Sequence, residues 1–215
     1  MRLLFAFLAG LGTLISALPG PARAGSCRSE IAALFHGGAL DPFARPPHVV
    51  DTTVLTVGGQ VKKRQRVVFD TPMKSLTGLP GQQMTLVIGG RSWSGPTAQG
   101  PWRQNLTMRA PGDFEAEERA SRDQMSRNIS DPVCRGVVEH EGQRYRVYEF
   151  FTRTDADASG RYFGARHVVY IDPKSGLLML QERSGDVADY LPQPGTERRV
   201  MRYRYDPSLR LSAPG

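Results

Sequence analysis

The sequence lacks the short motifs that mark common enzyme chemistry. It has no H-E-x-x-H zinc helix, no G-x-S-x-G nucleophile turn and no phosphate-binding glycine loop. Its four histidines, His36, His48, His140 and His167, are scattered along the chain. Only two cysteines occur, and they do not form a C-x-x-C pair, so no redox motif is present. No set of closely spaced ligands accompanies them, so neither a metal site nor a cofactor is expected, and the chain does not read as an enzyme. Beyond the N-terminus no apolar run approaches the roughly 20 residues of a spanning helix, so a membrane-spanning protein is not expected. There is no repeat of fixed period, no low-complexity block and no linker that would divide the chain. Nucleic-acid recognition motifs are also missing, so nucleic acid is not an expected partner.

The N-terminus carries an export signal. Arg2 supplies the positive start, Leu3 to Leu18 is an uncharged apolar run, and Pro19-Gly20-Pro21 breaks it. Ala22-Arg23-Ala24 then matches an A-x-A cleavage site. The expected organisation is a signal peptide over 1–24 and a single domain over 25–215, with the bacterial periplasm as destination. An uncleaved anchor and a lipid-modified start at Cys27 are the alternatives. Cleavage leaves roughly 190 residues, enough to bury one core without help. Arg2 and Arg23 leave with the signal, so the formal net charge of +7 falls by two. Two cysteines in an exported chain predict one disulfide, Cys27–Cys134. Closing so long a loop stabilises by roughly 4–5 kcal/mol in the chain-entropy model.

Periodicity sets the elements. A helix capped by Ser26 or Ser29 buries Ile31, Leu34 and Phe35 and ends at Gly37-Gly38. Val49–Val57 and Val61–Phe69 form a hairpin across Gly58-Gly59. In its second strand Lys62, Arg64 and Arg66 face away from Val61, Val67 and Phe69. Met84–Ile88 and Arg91–Ser94 are shorter strands around Gly89-Gly90. A second helix over Pro111–Ser130 has an acidic start and a thin apolar stripe of Phe114, Met125 and Ile129, which places it at a surface or edge. Strands return at Val133–His140, Gln143–Arg153, Ala165–Ile171, Leu177–Arg183 and Arg199–Tyr205. In the last, Met201, Tyr203 and Tyr205 alternate with Arg202 and Arg204. The order fits an α+β fold, an antiparallel sheet with helices on one side.

Two features carry weaker functional meaning. Asp155-Ala-Asp157-Ala-Ser159-Gly160 opens like a calcium loop, but Arg166 stands where the bidentate Glu is needed, so a polar hairpin loop is the expectation. Basic rows at Lys62, Lys63, Arg64, Arg66, Arg144, Arg146, Arg202 and Arg204 read first as a solvated sheet face. Their sharper reading is a patch for anionic lipid or polymer.

Taken together, the N-terminal helix, the hairpin after Pro47, Ile88-Gly89-Gly90-Arg91-Ser92-Trp93, the mid-chain helix and Tyr170-Ile171-Asp172-Pro173-Lys174-Ser175-Gly176-Leu177 form a familiar pattern. It resembles small periplasmic proteins related to the lipoprotein carriers LolA and LolB. The likeness extends to uncharacterised proteobacterial members with a closing Tyr-Asp-Pro-Ser-Leu segment, here Tyr205 to Leu209. The resemblance implies a curved, unclosed half-barrel of antiparallel strands with helices covering its concave side. It also implies a non-enzymatic binding protein that takes an acyl chain, a lipid or a lipidated partner in an apolar concavity. Phe69, Met84, Trp93, Trp102 and Met179 are the expected lining. The alternative is an interaction or envelope-stress sensing module that docks an envelope protein and has no lipid ligand.

Overall fold

A computed structural model describes residues 21–105 and 111–215, without the side chains of 21–24, 111 and 112. The apolar run of the export signal lies outside the described residues. Helix α1 (Pro21–Leu34) starts earlier than either serine cap suggests, and its backbone runs through Ala22-Arg23-Ala24. It ends at the two glycines for a steric reason. Gly37 takes a φ of 79°, and a Cβ on Gly38 would lie 2.7 Å from Leu34 Cα.

Strands β1 (His48–Leu55), β2 (Val61–Thr71), β3 (Lys74–Thr77), β4 (Met84–Ile88), β5 (Arg91–Gly95) and β6 (Arg103–Gln104) follow. Helix α2 (Pro111–Arg127) separates them from β7 (Ser130–His140), β8 (Gln143–Arg153), β9 (Phe163–Ile171), β10 (Leu178–Ala188) and β11 (Arg198–Tyr205). The eleven strands form one antiparallel sheet in the order β6-β5-β4-β3-β2-β1-β11-β10-β9-β8-β7. The chain's first strand pairs with its last, and β6 and β7 remain as edges, so the half-barrel is unclosed.

Two strands escape the sequence pattern. β3 is four residues with Leu76 as its only large apolar side chain, and β6 is two residues, so neither shows a period of two. β7 also begins before Pro132. As an edge strand it has no outer neighbour to miss the absent N–H. The β7–β8 hairpin turns at Glu141 and Gly142, both with positive φ (50° and 76°), which matches the right-handed twist of the flanking strands.

Residues directly opposite one another in paired strands share a face. This places Tyr148, Phe150, Val169, Ile171, Leu178, Tyr203 and Val50 on one side of β8-β9-β10-β11-β1. Ile31 of α1, Phe35 just after it and Ile129 after α2 close over them, making the main buried cluster. The Cys27–Cys134 disulfide, with Cα atoms 5.7 Å apart, ties α1 to β7. Beside it Tyr148 donates its hydroxyl to Glu30, and burial together with that carboxylate pushes the phenol up to about 12. Helix α2 is fastened at its C-terminal half. Thr152 donates to the Met125 carbonyl, Ser126 to that of Ala32, and Arg122 reaches Asp41 at 3.3 Å.

Across β1 and β2 the buried face changes sides. The register Val49–Val68–Leu76–Leu86–Trp93 puts the buried side chains of β4 and β5 on the face away from the helices. There they are covered by the 96–102 loop and the C-terminal tail. The Leu211 N–H donates to the buried Asp70 carboxylate at 3.1 Å, and residues 210–215 line a groove with Leu76, Leu86 and Trp102.

Candidate functional site

The helix-facing side of the sheet has two different parts. Over β8–β11 it is filled by the core just described. Over β2–β5 the same side carries Val67, Phe69 and Val87, interleaved with Gln65, Ser75, Thr77, Thr85, Ser92 and Ser94. All of these are half-buried, and they make a shallow trough with an apolar floor and hydroxyl-rich walls.

Where the trough meets the helices, Pro42, Arg45, Pro46, His48, Phe69, Pro72 and Glu118 surround a cleft of about 170 Å³. Its wall is an aromatic stack. The His48 ring lies 5.1 Å from Phe69, 5.8 Å from Tyr203 and 5.4 Å from Tyr205. His48 Nδ1 donates to the Pro46 carbonyl at 2.8 Å, which fixes the neutral tautomer and leaves Nε2 as an acceptor. Burial, reinforced by the Arg45 charge, holds the imidazole below its ordinary range. Arg45 is itself placed by Nε donating to the Ala39 carbonyl at 3.0 Å, with its guanidinium 5.5 Å from the Tyr203 ring centre. Tyr203 then donates to Gln181, whose amide meets His167 Nδ1 at 2.8 Å. The cleft is thus a mainly apolar pocket backed by a hydrogen-bonded polar chain.

On the other flank of α2 lies a wider groove of about 690 Å³. Tyr162, Phe163 and Tyr190 line it, with acidic residues from α2 and the 155–162 loop. The calcium-like loop is internally bound. Asp157 Oδ1 accepts from Ser159 N and Oγ and from Arg161 N, and Asp155 accepts from Arg127 and Asn128. These contacts hold the Asp157 carboxyl far below the usual carboxylate range. The loop is the polar hairpin loop that the sequence suggests.

The five side chains expected to line a concavity do not share one surface. Phe69 faces the helices and the cleft. Met84 and Trp93 are buried on the opposite face. Trp102 lies with them, packed on Gly95, where a Cβ would stand 2.9 Å from the indole Cε3. Met179 is the extra residue at a bulge, where Leu178 pairs with Ile171 and Leu180 with Tyr170. His48, Arg45, Pro42, Pro46 and Pro72, which complete the cleft, carry no sequence signal beyond the proline-rich stretch itself.

The basic rows are divided as well. Arg66, Arg202 and Arg204 stand on the face away from the helices, whereas Arg144 and Arg146 share the face of Tyr148 and Phe150. On the outer face the arginines pair with acids. Asp51 takes Arg66 at 2.6 Å and Arg204 at 3.1 Å, Glu141 takes both terminal nitrogens of Arg202, and Glu182 takes Arg198. Exposed pairs of this kind contribute little each and leave little net charge.

One contact has the atoms of a catalytic triad. His36 Nε2 lies 3.1 Å from Ser126 Oγ, and its Nδ1 lies 3.8 Å from Asp123. Ser126 is buried, donates to the Ala32 carbonyl at 3.3 Å and lines neither the cleft nor the groove, while Asp123 is held by Arg122. A nucleophile needs room beside it for a substrate carbonyl and for oxyanion donors. This serine lies at a packed helix–helix contact.

No family model matches the chain, and no curated protein sequence matches it. Among solved structures it is similar to the Mycobacterium tuberculosis lipoprotein LppX, with 11% identity, a TM-score of 0.47, and coverage of 84% of this chain and 94% of that one. LprF from Mycobacterium bovis gives 10% identity, a TM-score of 0.46, and coverage of 87% and 97%. The hypothetical lipoprotein YmcC from Escherichia coli (K12) gives 12% identity, a TM-score of 0.26, and coverage of 82% and 94%. Likenesses of this size establish neither a family nor a ligand.

Proposed function

We propose that this chain is an exported, non-enzymatic binding protein that starts at Gly25 after cleavage and works in the periplasm. Its ligand is an acyl chain or an acyl-bearing partner, seated in the cleft beside His48 and Phe69 and extending along the trough over β2–β4. The observation that carries this reading is the continuity of a half-buried apolar floor, Val67, Phe69 and Val87, with a cleft walled by rings and prolines. Apolar side chains gain about 25 cal/mol for each Å² an acyl chain removes from water. The cleft alone is smaller than the roughly 300–1,000 Å³ of a typical ligand pocket. An acyl chain therefore needs the trough as well, and the bound chain keeps one side toward solvent.

Titration with a naturally fluorescent fatty acid tests the reading. Saturable binding at micromolar concentration is expected, with Phe69→Ala weakening it. A brominated fatty acid, which quenches tryptophan only on contact, should leave the emission unchanged, because Trp93 and Trp102 lie on the opposite face. Strong quenching would move the ligand to the groove under the C-terminal tail. If neither probe binds, the acyl-ligand reading fails and the protein-docking alternative takes its place.

A further inference from the structure

Large apolar side chains exposed on a soluble surface are informative when they gather. Four such side chains among the described residues sit at one end of the strands. Val57 is 80% exposed and Val61 52% exposed, either side of the β1–β2 turn, and Phe163 at 50% and Tyr190 at 77% stand at the adjoining ends of β9 and β10. The register fixes this placement. Leu55 pairs with Val61 and with Arg198, Arg198 with Ser184, and Ala188 with Phe163, so Val61 lies in one row of the sheet and Val57, Phe163 and Tyr190 lie beyond it at the same end. From β2 to β9 is four inter-strand steps, roughly 20 Å across.

The charges at the hairpin tip favour one partner. Lys62 pairs with Glu197, Arg198 with Glu182, and Arg183 and Arg199 with Asp186. Lys63 and Arg64, next to Val61, have no ion-pair partner among the described residues, and their side chains project to opposite faces of the hairpin. The tip therefore presents valines at its extremity, with two uncompensated cations one step behind them. At the far end Phe163 and Tyr190 share a groove with Asp155, Asp157 and Asp189, so the cationic part of this end is the hairpin tip.

We infer that the β1–β2 hairpin tip at this end of the half-barrel is a docking rim for an anionic lipid surface. Val57 and Val61 enter the boundary between head groups and acyl chains, Lys63 and Arg64 meet the lipid phosphates, and Phe163 and Tyr190, beside the acidic groove, stay on the water side. Each basic residue near an anionic surface strengthens association roughly fivefold, and the apolar insertion adds a part that salt does not screen. The inference does not depend on an acyl ligand in the cleft.

Co-sedimentation with vesicles tests it, using protein purified after export and variants that share its N-terminus. Vesicles of phosphatidylglycerol and phosphatidylcholine in equal parts should bind the protein more tightly than phosphatidylcholine alone. Replacing Lys63 and Arg64 together by Gln should weaken binding about twenty-five-fold and reduce its salt dependence. Val57→Ser should weaken it with the salt dependence retained. Both sites are on an exposed hairpin, and an unchanged thermal transition will show that the variants fold. Equal binding to both vesicle types, or variants indistinguishable from the parent, would overturn the rim, as would an absence of binding to either vesicle. Residues 1–20, if retained, contribute equally to every variant and cannot produce these differences. Phe69→Ala should leave vesicle binding unchanged, which separates this test from that of the acyl site.

Discussion

The two halves of the sheet bury opposite faces. From β8 through β11 the main buried cluster points toward α1 and α2, with only the smaller cluster of Val147, Tyr170 and Leu180 on the other face, and from β3 through β5 the buried side chains point away from the helices, toward a loop and the C-terminal tail. The first half is closed by a disulfide and two helices, and it contains the buried His167. The second half, residues 61–104, has neither cysteine nor histidine. One sheet thus carries a firmly closed core beside a lightly covered one, and the trough is left open because the open half turns its apolar side chains the other way. The trough arises here from a change of buried face within a continuous sheet, without any cavity being carved into the core.

Substitutions can test how unequal the halves are. The largest effect is expected at Phe150, which is buried against Phe35 and stacked 5.2 Å from His167. Phe150→Ala should cost about 3–5 kcal/mol by urea unfolding. Leu86→Ala in the open half should fall at the low end of the large-to-small range, about 2 kcal/mol. Equal losses would mean that the tail covers its face as completely as the helices cover theirs.

Next comes the disulfide. Cys134→Ala should lower stability by roughly 2–5 kcal/mol. Hydrogen exchange should show the loss in α1 and β7, with β4 and β5 little changed. A uniform rise in exchange would show that the two halves unfold as one unit.

The pH dependence sharpens the contrast further. Burial, with the nearby Arg183 charge, holds the His167 imidazole down to about 4. The unfolded ring titrates near pH 6.5. Between these values the unfolded chain takes up a proton that the folded chain does not, so this contribution is full above about pH 6.5 and is lost as pH falls through 4. The loss is about 3 kcal/mol. Urea midpoints between pH 7 and 4 will measure it, and His167→Gln should flatten the slope. A slope unchanged by that substitution would assign the acid sensitivity to carboxylates such as Asp41. There burial works upward, but hydrogen bonds from Gly37 and Phe43 and the Arg122 charge keep the group low.

The smallest expected effect is at the tail. Leu211→Ser should cost about 1 kcal/mol, since the side chain is only half-buried. Faster exchange confined to β3–β5 would confirm that the tail covers only the open half.

Much of this architecture is legible in the residues. Gln143–Arg153 alternates cleanly and is β8 to the residue, and Glu141-Gly142 marks the turn that precedes it. Met201, Tyr203 and Tyr205 do lie opposite Arg202 and Arg204. The Cys27–Cys134 bridge follows from two cysteines in an exported chain. The candidate site was far less legible. Phe69 is in the cleft, but Met84, Trp93 and Trp102 belong to the other face, and His48 and Arg45 gave no signal that set them apart from any scattered histidine or arginine.

The reason lies in the symmetry of a strand. A period of two states that alternate residues share a face, and says nothing about which face is buried. The sequence by itself determined every strand but β3 and β6, most of the turns, the helices and the disulfide, because each depends on local spacing or on composition. Only the tertiary structure decided that Tyr148 and Phe150 lie under α1 while Leu86 and Trp93 lie under the tail. That choice depends on β1 pairing with β11 and on where the helices and the tail come to rest, contacts between residues far apart in the chain. The register then carries each strand's facing to its neighbour, so these few long-range contacts set the open trough and the cleft together.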